Sequence, residues 1–337
     1  MKKIAIPPST ELFFGSLESH EKLPYPKSVV IADSSLEDLY AKPLCKKWGA
    51  DLILIPSGEK AKTRQIKEKL EDALLEKGCG KDTVLIALGG GSTLDLVAFT
   101  ASTFLRGVPL ILIPTTLVAI VDAAIGGKTA IDTPHGKNLI GSFYFPRAIF
   151  ADVAMLKTLP QKEWLNGYAE ILKMGLVFDS SLLEADPSLP ASILRAIEAK
   201  IRIIQKDPFD KSLRRILNFG HTIGHALETI SNYEISHGEA VAIGCMTEVY
   251  LSALKQEEFL KIEKIYSSLF SLSLPKTYLR SALLKALLFD KKKENGQVRF
   301  VNLEKIGKAH PFGEAYCRPV SSKELGMALD WMEATYG

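Results

Sequence analysis

The chain has 337 residues, 47% hydrophobic and 24% charged, with a formal net charge of +3. That is ordinary globular composition at a length suited to two domains. So small a charge, with no basic run longer than Lys291-Lys292-Lys293, argues against nucleic acid as a partner. The start Met1-Lys2-Lys3-Ile4 has the charge of a signal peptide, but Pro7 and Pro8 stop an apolar core from forming behind it. Cys45, Cys79, Cys245 and Cys317 show no paired spacing, as expected of reduced thiols in a cytoplasm.

In chain order, Ser28–Ala32 is a short β-branched run ending at Asp33, which should cap a helix through Leu44. Asp51–Ile55 is a second strand and Ile66–Lys77 has helical spacing. Thr83–Leu88 is a third strand, broken by Gly89-Gly90-Gly91-Ser92, and Leu110–Ile113 is a fourth. The apolar stretch Val108–Val121 contains Pro109 and Pro114 and stops at Asp122, so it is too short and too broken to span a membrane. Strands alternating with helices predict an α/β fold, a doubly wound, Rossmann-like parallel sheet. Ligands in such sheets bind beyond the carboxyl ends of the strands. Ser57-Gly58-Glu59-Lys60, Gly89–Asp95 and Pro114-Thr115-Thr116 fall there. The glycines let backbone amides approach a pyrophosphate at a helix N-terminus, although Gly-x-Gly-x-x-Gly itself is absent. Two segments then place a lysine after glycine, Gly126-Gly127-Lys128 and Gly136-Lys137-Asn138. They read as loop lysines suited to a phosphate or carboxylate.

Beyond about Asp152 long amphipathic stretches dominate: Gln161–Phe178, Ala191–Gln205, Leu213–Ile230, Glu239–Leu254 and Glu257–Leu269. An α/β domain over 1–155 is therefore expected to give way to an all-helical one over 156–337. Asn295-Gly296 is a hairpin signal ahead of Val298–Val301.

The second half centres on Leu217–Glu228. His221 and His225 are four residues apart, roughly 400° around a helix, so both imidazoles should leave one face about 6 Å apart along the axis. Arg214 and Asn218 should share that face. His237 follows, so three of the six histidines fall within 17 residues. Glu170 and Lys173 share one face of an upstream helix. This supplies imidazole and carboxylate ligands for a borderline divalent metal, without deciding among the histidines. The cations Lys128, Lys137, Lys173, Lys200, Arg214 and Lys291 or Lys292 stand beside motif residues in six segments. They suggest a small polyanion carrying phosphate and carboxylate.

These stretches resemble the 3-dehydroquinate synthase family. The match runs through Gly89–Asp95, Arg106-Gly107, Ile113–Lys128, Gly136–Gly141, Leu156–Pro160, Gly167–Gly175, Leu217–Glu228 and His237–Gly244. The glycine turn is shared in outline with metal-dependent polyol dehydrogenases; the two histidine stretches are specific. The resemblance implies recycled NAD and one divalent metal, zinc or cobalt. It also implies conversion of 3-deoxy-D-arabino-heptulosonate 7-phosphate to 3-dehydroquinate and phosphate, in a cytoplasmic homodimer. It selects Glu170, His221 and His237 as metal ligands and moves His225 to the substrate pocket. It assigns to the substrate Asp122, Lys128, Asn138, Lys173, Lys200, Arg214, Asn218, His225, Lys291 and Lys292. To the nucleotide it assigns Ser57, Gly58, Glu59, Lys60, Ala61 and Lys62, then Gly91, Ser92, Thr93, Leu94 and Asp95. Thr115, Thr116, Lys128, Lys137, Met155, Leu156, Lys157 and Thr158 complete that set. The chain departs from the family where Leu94 replaces a usual glycine, Ala123-Ala124 a pair of serines and Asp132 a frequent asparagine. The family's Asp-Glu-x-Glu is Asp207-Pro208-Phe209-Asp210 here. The rivals are a related cyclase such as 2-deoxy-scyllo-inosose synthase, a polyol dehydrogenase that would release NADH, and a binding module without catalysis.

Overall fold

Val29–Ala32 and Val84–Leu88 are apolar at every position and buried throughout. Runs of that kind suit interior parallel strands covered on both faces. The computed structural model describes residues 1–20, 23–291 and 297–337, without the side chains of 289–291. Lys292, the Lys291 side chain and the Asn295-Gly296 turn lie outside the described residues. The chain divides into two compact units, Met1–Pro160 and Gln161–Gly337.

In the first unit the strands are β1 (Lys2–Ile6), β2 (Thr10–Phe14), β3 (Lys27–Asp33), β4 (Asp51–Ile55), β5 (Thr83–Gly89), β6 (Leu110–Pro114), β7 (Lys128–Thr133), β8 (Gly136–Phe143) and β9 (Ala148–Ala151). Seven of them form one sheet in the order β1-β2-β9-β6-β5-β3-β4, parallel except for β1 against β2. The parallel order from β4 to β9 is that of a doubly wound sheet, with its switch point between β3 and β5. The helices are α1 (Lys42–Trp48), α2 (Arg64–Glu76) and α3 (Gly91–Thr103).

Two local expectations are corrected. Asp33 does cap, accepting from the Ser35 amide at 2.8 Å. The helix behind it, however, is a 3-10 turn (Ser34–Leu36) and a π turn (Glu37–Ala41) before α1 begins. Pro43 in the first turn of α1 has no amide to continue a regular ladder from upstream. The second correction concerns Lys128, Lys137 and Asn138. They lie on the paired strands β7 and β8 rather than in loops, although the ladder is irregular between Ile131 and Thr133.

The second unit is helical: α4 (Gln161–Val177), α5 (Pro190–Lys206), α6 (His221–Ile230), α7 (His237–Leu251), α8 (Gln256–Leu269), α9 (Arg280–Lys291) and α10 (Ser322–Tyr336). Two short antiparallel ladders, β10 (Arg299–Phe300) with β13 (Arg318–Pro319) and β11 (Leu303–Lys305) with β12 (Lys308–Ala309), depart from the all-helical expectation. No helix among the described residues is long and apolar enough to cross a membrane.

The expected helix Leu213–Ile230 is not continuous. Leu213–Asn218 is a 3-10 helix, and Gly220 takes φ +76° before α6 starts at His221. Only glycine adopts that backbone without strain. The Gly220 amide donates at 2.9 Å to Glu248, a fully buried carboxylate on α7 whose other oxygen accepts from Val301 at 3.1 Å. Here α7 touches the chain backbone to backbone. A Cβ on Gly244 would sit 1.9 Å from the Gly220 carbonyl oxygen.

Gly244→Ala is therefore expected to push α7 off the start of α6 and to cost about 3 kcal/mol. Urea denaturation followed by circular dichroism measures this. A midpoint equal to that of the wild type would contradict the close packing.

Candidate metal and nucleotide sites

The second unit brings three ligand-type side chains to one point. Glu170 projects from the interior of α4 and is 1% exposed. His221 opens α6 because the chain breaks at Gly220. His237 opens α7, which begins with a capping box between Ser236 and Glu239. The Asn166 side chain also accepts from the Gly238 amide at 2.7 Å, fastening the start of α7 to α4. Nε2 of His221 lies 3.3 Å from Oε1 of Glu170, and Nε2 of His237 lies 3.2 Å from the same oxygen. Among the described residues, Glu170, His221 and His237 are the group able to hold a metal ion, their ligand atoms lying within 4.8 Å of one another.

The other ring nitrogens are occupied. Nδ1 of His221 is 3.0 Å from the Phe219 carbonyl and Nδ1 of His237 is 3.6 Å from Oε1 of Glu228. Partners on Nδ1 fix each imidazole with Nε2 toward Glu170, as metal-binding histidines require. A carboxylate and two Nε2 atoms aimed at one point fit a catalytic divalent site. Burial raises the Glu170 carboxyl, but Lys173 and His221 outweigh it and hold the group well below the usual carboxylate range. Lys173, one turn along α4 and 1% exposed, pairs with the other Glu170 oxygen. Burial works against a charged His237, but Glu170 and Glu228 push it up to about 10.

His225 stands apart from this group. It is exposed, with its ring 5.1 Å from that of His221 and edge-on to it. Lys200 is buried on α5. Arg214 and Asn218 lie on the 3-10 segment before the break, so the periodicity that put them on the His221 face does not apply. Another device fixes Arg214. Asp207 accepts backbone amides of Lys211 at 2.9 Å, Ser212 at 2.6 Å and Arg214 at 3.0 Å, and Nη1 of Arg214 donates to the Pro208 carbonyl at 2.7 Å.

In the first unit the carboxyl ends of β3, β4 and β5 carry the nucleotide candidates. Asp33 ends β3, accepts from Ser57 Oγ and lies 3.2 Å from the Gly58 amide. Lys60 is exposed in the turn after Gly58, which closes on Ala61 and Lys62. Lys62, nearly buried, donates to Asp95 at 2.6 Å and to Asn138. Ser92 donates to Glu59, and Lys137 lies 3.6 Å from Glu59. α3 begins at Gly91 with no side chain capping its first amides. Thr93 and Leu94 point into the interior; Thr115 is buried behind β6 and Thr116 is half-buried. Met155 and Leu156 are buried and Lys157 and Thr158 exposed on one 3-10 turn. Asp122 is half-buried in the π turn Ala119–Ala123. Leu94, Ala123 and Ala124 line one small internal space of about 10 Å³ with Asp95 and Lys128, so three departures from the family meet in one pocket.

Sequence reasoning assigned no role to Asp207, Glu228 or Glu248, and gave Asp33 only its helix cap. Glu228 closes the histidine stretch and gave a signal by spacing, three residues after His225. Asp207 and Glu248 act through amides that no periodicity reveals.

Glu228→Gln is expected to leave the fold intact and to weaken divalent ion binding about 10- to 100-fold, because His237 loses its orienting carboxylate. Competition with a chromophoric zinc chelator reads the affinity. An unchanged Kd would remove Glu228 from the metal's support.

Residues 52–166 match the 3-dehydroquinate synthase N-terminal family model and residues 167–293 match the C-terminal one. The chain is 38% identical over 330 residues to the 3-dehydroquinate synthase of Rippkaea orientalis, covering 90% of each. It is 37% identical over 319 residues to pentafunctional AROM polypeptide 2 of Lodderomyces elongisporus, covering 82% of this chain and 20% of that far longer polypeptide. The fold is similar to that of a 2-deoxy-scyllo-inosose synthase complexed with carbaglucose-6-phosphate, NAD+ and Co2+. That likeness has a TM-score of 0.87 at 24% identity, over 97% of this chain and 98% of the other. Matched through both family models and along nine-tenths of a relative, the chain belongs to the 3-dehydroquinate synthase family.

Proposed function

We propose that this protein converts 3-deoxy-D-arabino-heptulosonate 7-phosphate to 3-dehydroquinate and phosphate, with NAD as a recycled cofactor and one zinc or cobalt ion. The convergence of Glu170, His221 and His237 carries the reading, because three protein ligands leave a coordination position open, as a catalytic divalent ion requires. NAD, when bound, would supply reversible hydride transfer at a substrate carbinol, with no net oxidation. The divalent ion, when bound, polarises the substrate's oxygens and lowers the pKa of a hydroxyl.

The chain's own residues supply the rest. Glu170, His221 and His237 would hold the ion, and Lys173 balances the charge of Glu170. Lys200, Arg214 and Asn218 bind the carboxylate and neighbouring hydroxyls, the guanidinium being the group suited to a carboxylate. His225, exposed beside His221, exchanges the proton of the reacting hydroxyl with water. Asp122, Lys128 and Asn138 orient the phosphate end, with Lys291 and Lys292 completing the cationic set. Once the carbinol is a ketone its neighbouring C–H is acidic, so the proton and the phosphate leave together. With the alcohol restored, ring opening and aldol closure would form the carbocycle. The net change is loss of phosphate with no net oxidation. On the first unit Gly91–Asp95 and Thr115-Thr116 hold the pyrophosphate, and Glu59, Lys62 and Lys137 the remainder of the nucleotide. Four free cysteines support a reducing compartment, and we assign the enzyme to the cytoplasm. A homodimer is inferred from the family alone.

Purified protein with zinc, the heptulosonate phosphate and substoichiometric NAD should release phosphate over many turnovers with no NADH left at completion. A sugar phosphate without the carboxylate should react poorly. NADH accumulating in step with substrate would instead identify a dehydrogenase.

A further inference from the structure

The β7–β8 hairpin carries an irregularity with a definite cause. Ile131 pairs with Ile140 and Thr133 with Gly136, so Asp132 alone faces Lys137, Asn138 and Leu139. Asn138 takes φ +57°, a left-handed conformation. Its amide donates at 2.9 Å to Oδ1 of Asp132, and the Asp132 amide donates at 2.8 Å to the Lys62 carbonyl. Asp132 thus joins the bulge to the turn that carries Glu59 and Lys62. The Asp132 carboxyl also lies within hydrogen-bonding reach of the Glu59 carboxyl. Two carboxyl groups can bond only if one keeps its proton. Glu59 already accepts from Ser92 and lies near the Lys137 ammonium, so it is the ionised partner.

We infer that Asp132 is a positioning residue for the nucleotide: it fixes the bulge that presents Lys137 and Asn138 and holds Glu59 through one shared proton, so the grip on an anionic nucleotide loosens when that proton leaves. This rests on the proposed NAD-binding role of the first unit. The charged groups around the pair are Lys62 and Lys137, which favour ionisation, and Glu59 and Asp95, which oppose it. Asp122 acts on Asp95, and His135 is exposed at the hairpin turn. Burial and the bond to Glu59 push Asp132 up to about 6. The protonated acid is thus present below that pH and lost above it, which adds one negative charge beside the nucleotide.

Calorimetric titration of the full chain, zinc present, with NAD at about pH 5.5 and about pH 8 tests this. Wild type should bind NAD about three- to tenfold more tightly at the lower pH. Asp132→Asn keeps an acceptor for Asn138 and an N–H donor for Glu59 at every pH. It should bind equally at both, as tightly as wild type at the lower. Asp132→Ala should bind weakly at both. Infrared difference spectra without nucleotide read the proton itself: a carboxylic-acid band should vanish between about pH 5 and pH 7 in wild type and be absent in Asp132→Asn. Parallel pH slopes in wild type and Asp132→Asn, or the same infrared band in both, would overturn the inference and leave nucleotide binding standing. No NAD binding by wild type at either pH would overturn the nucleotide reading with it.

Discussion

A carboxylate almost wholly withdrawn from water has to be compensated, and in this chain Glu170 sets that condition for the second unit. One oxygen is answered by Lys173 from the same helix. The other is approached by two imidazoles from two further helices. Each imidazole is fixed at its far nitrogen, one by a backbone carbonyl and one by Glu228. Removing the central carboxylate would take from the buried Lys173 the acid it pairs with. The arrangement is therefore a unit, and a divalent cation is the partner that suits its donor set.

The helices obey this condition through their starting points. Both histidines open their helices, so the sites of chain entry place them. Gly220 ends the preceding turn in a conformation that favours glycine, and Glu248 holds its amide from within α7. Asn166 on α4 holds the amide just after His237. Backbone hydrogen bonds to buried side chains thus carry the precision with which the two histidines meet Glu170.

Much of this was legible from residue order. Although the choice of Glu170, His221 and His237 came from the family resemblance, and α9 and α10 were not expected, the apolar strands and the spans of α4, α5, α7 and α8 follow from periodicity. The break at Gly220 did not, because a glycine four residues from another in an apolar stretch looks like a tolerated helix glycine. Nor did the β7–β8 hairpin. Its bulge spoils the alternation that marks a strand, so Lys128, Lys137 and Asn138 read as loop residues. The strands β1 and β2, at one side of the sheet, lack the apolar density of β3 and β5. Asp207 and Glu248 act on amides, and sequence spacing carries no trace of that.

The central claim is that Glu170, His221 and His237 together hold one catalytic ion. Anomalous diffraction at the cobalt edge, from crystals of the cobalt-loaded protein, tests it most directly. The account predicts one strong peak within about 2.0–2.2 Å of a Glu170 oxygen and the Nε2 atoms of His221 and His237. A cobalt peak bound through His225, or one that leaves Glu170 uncoordinated, would contradict it.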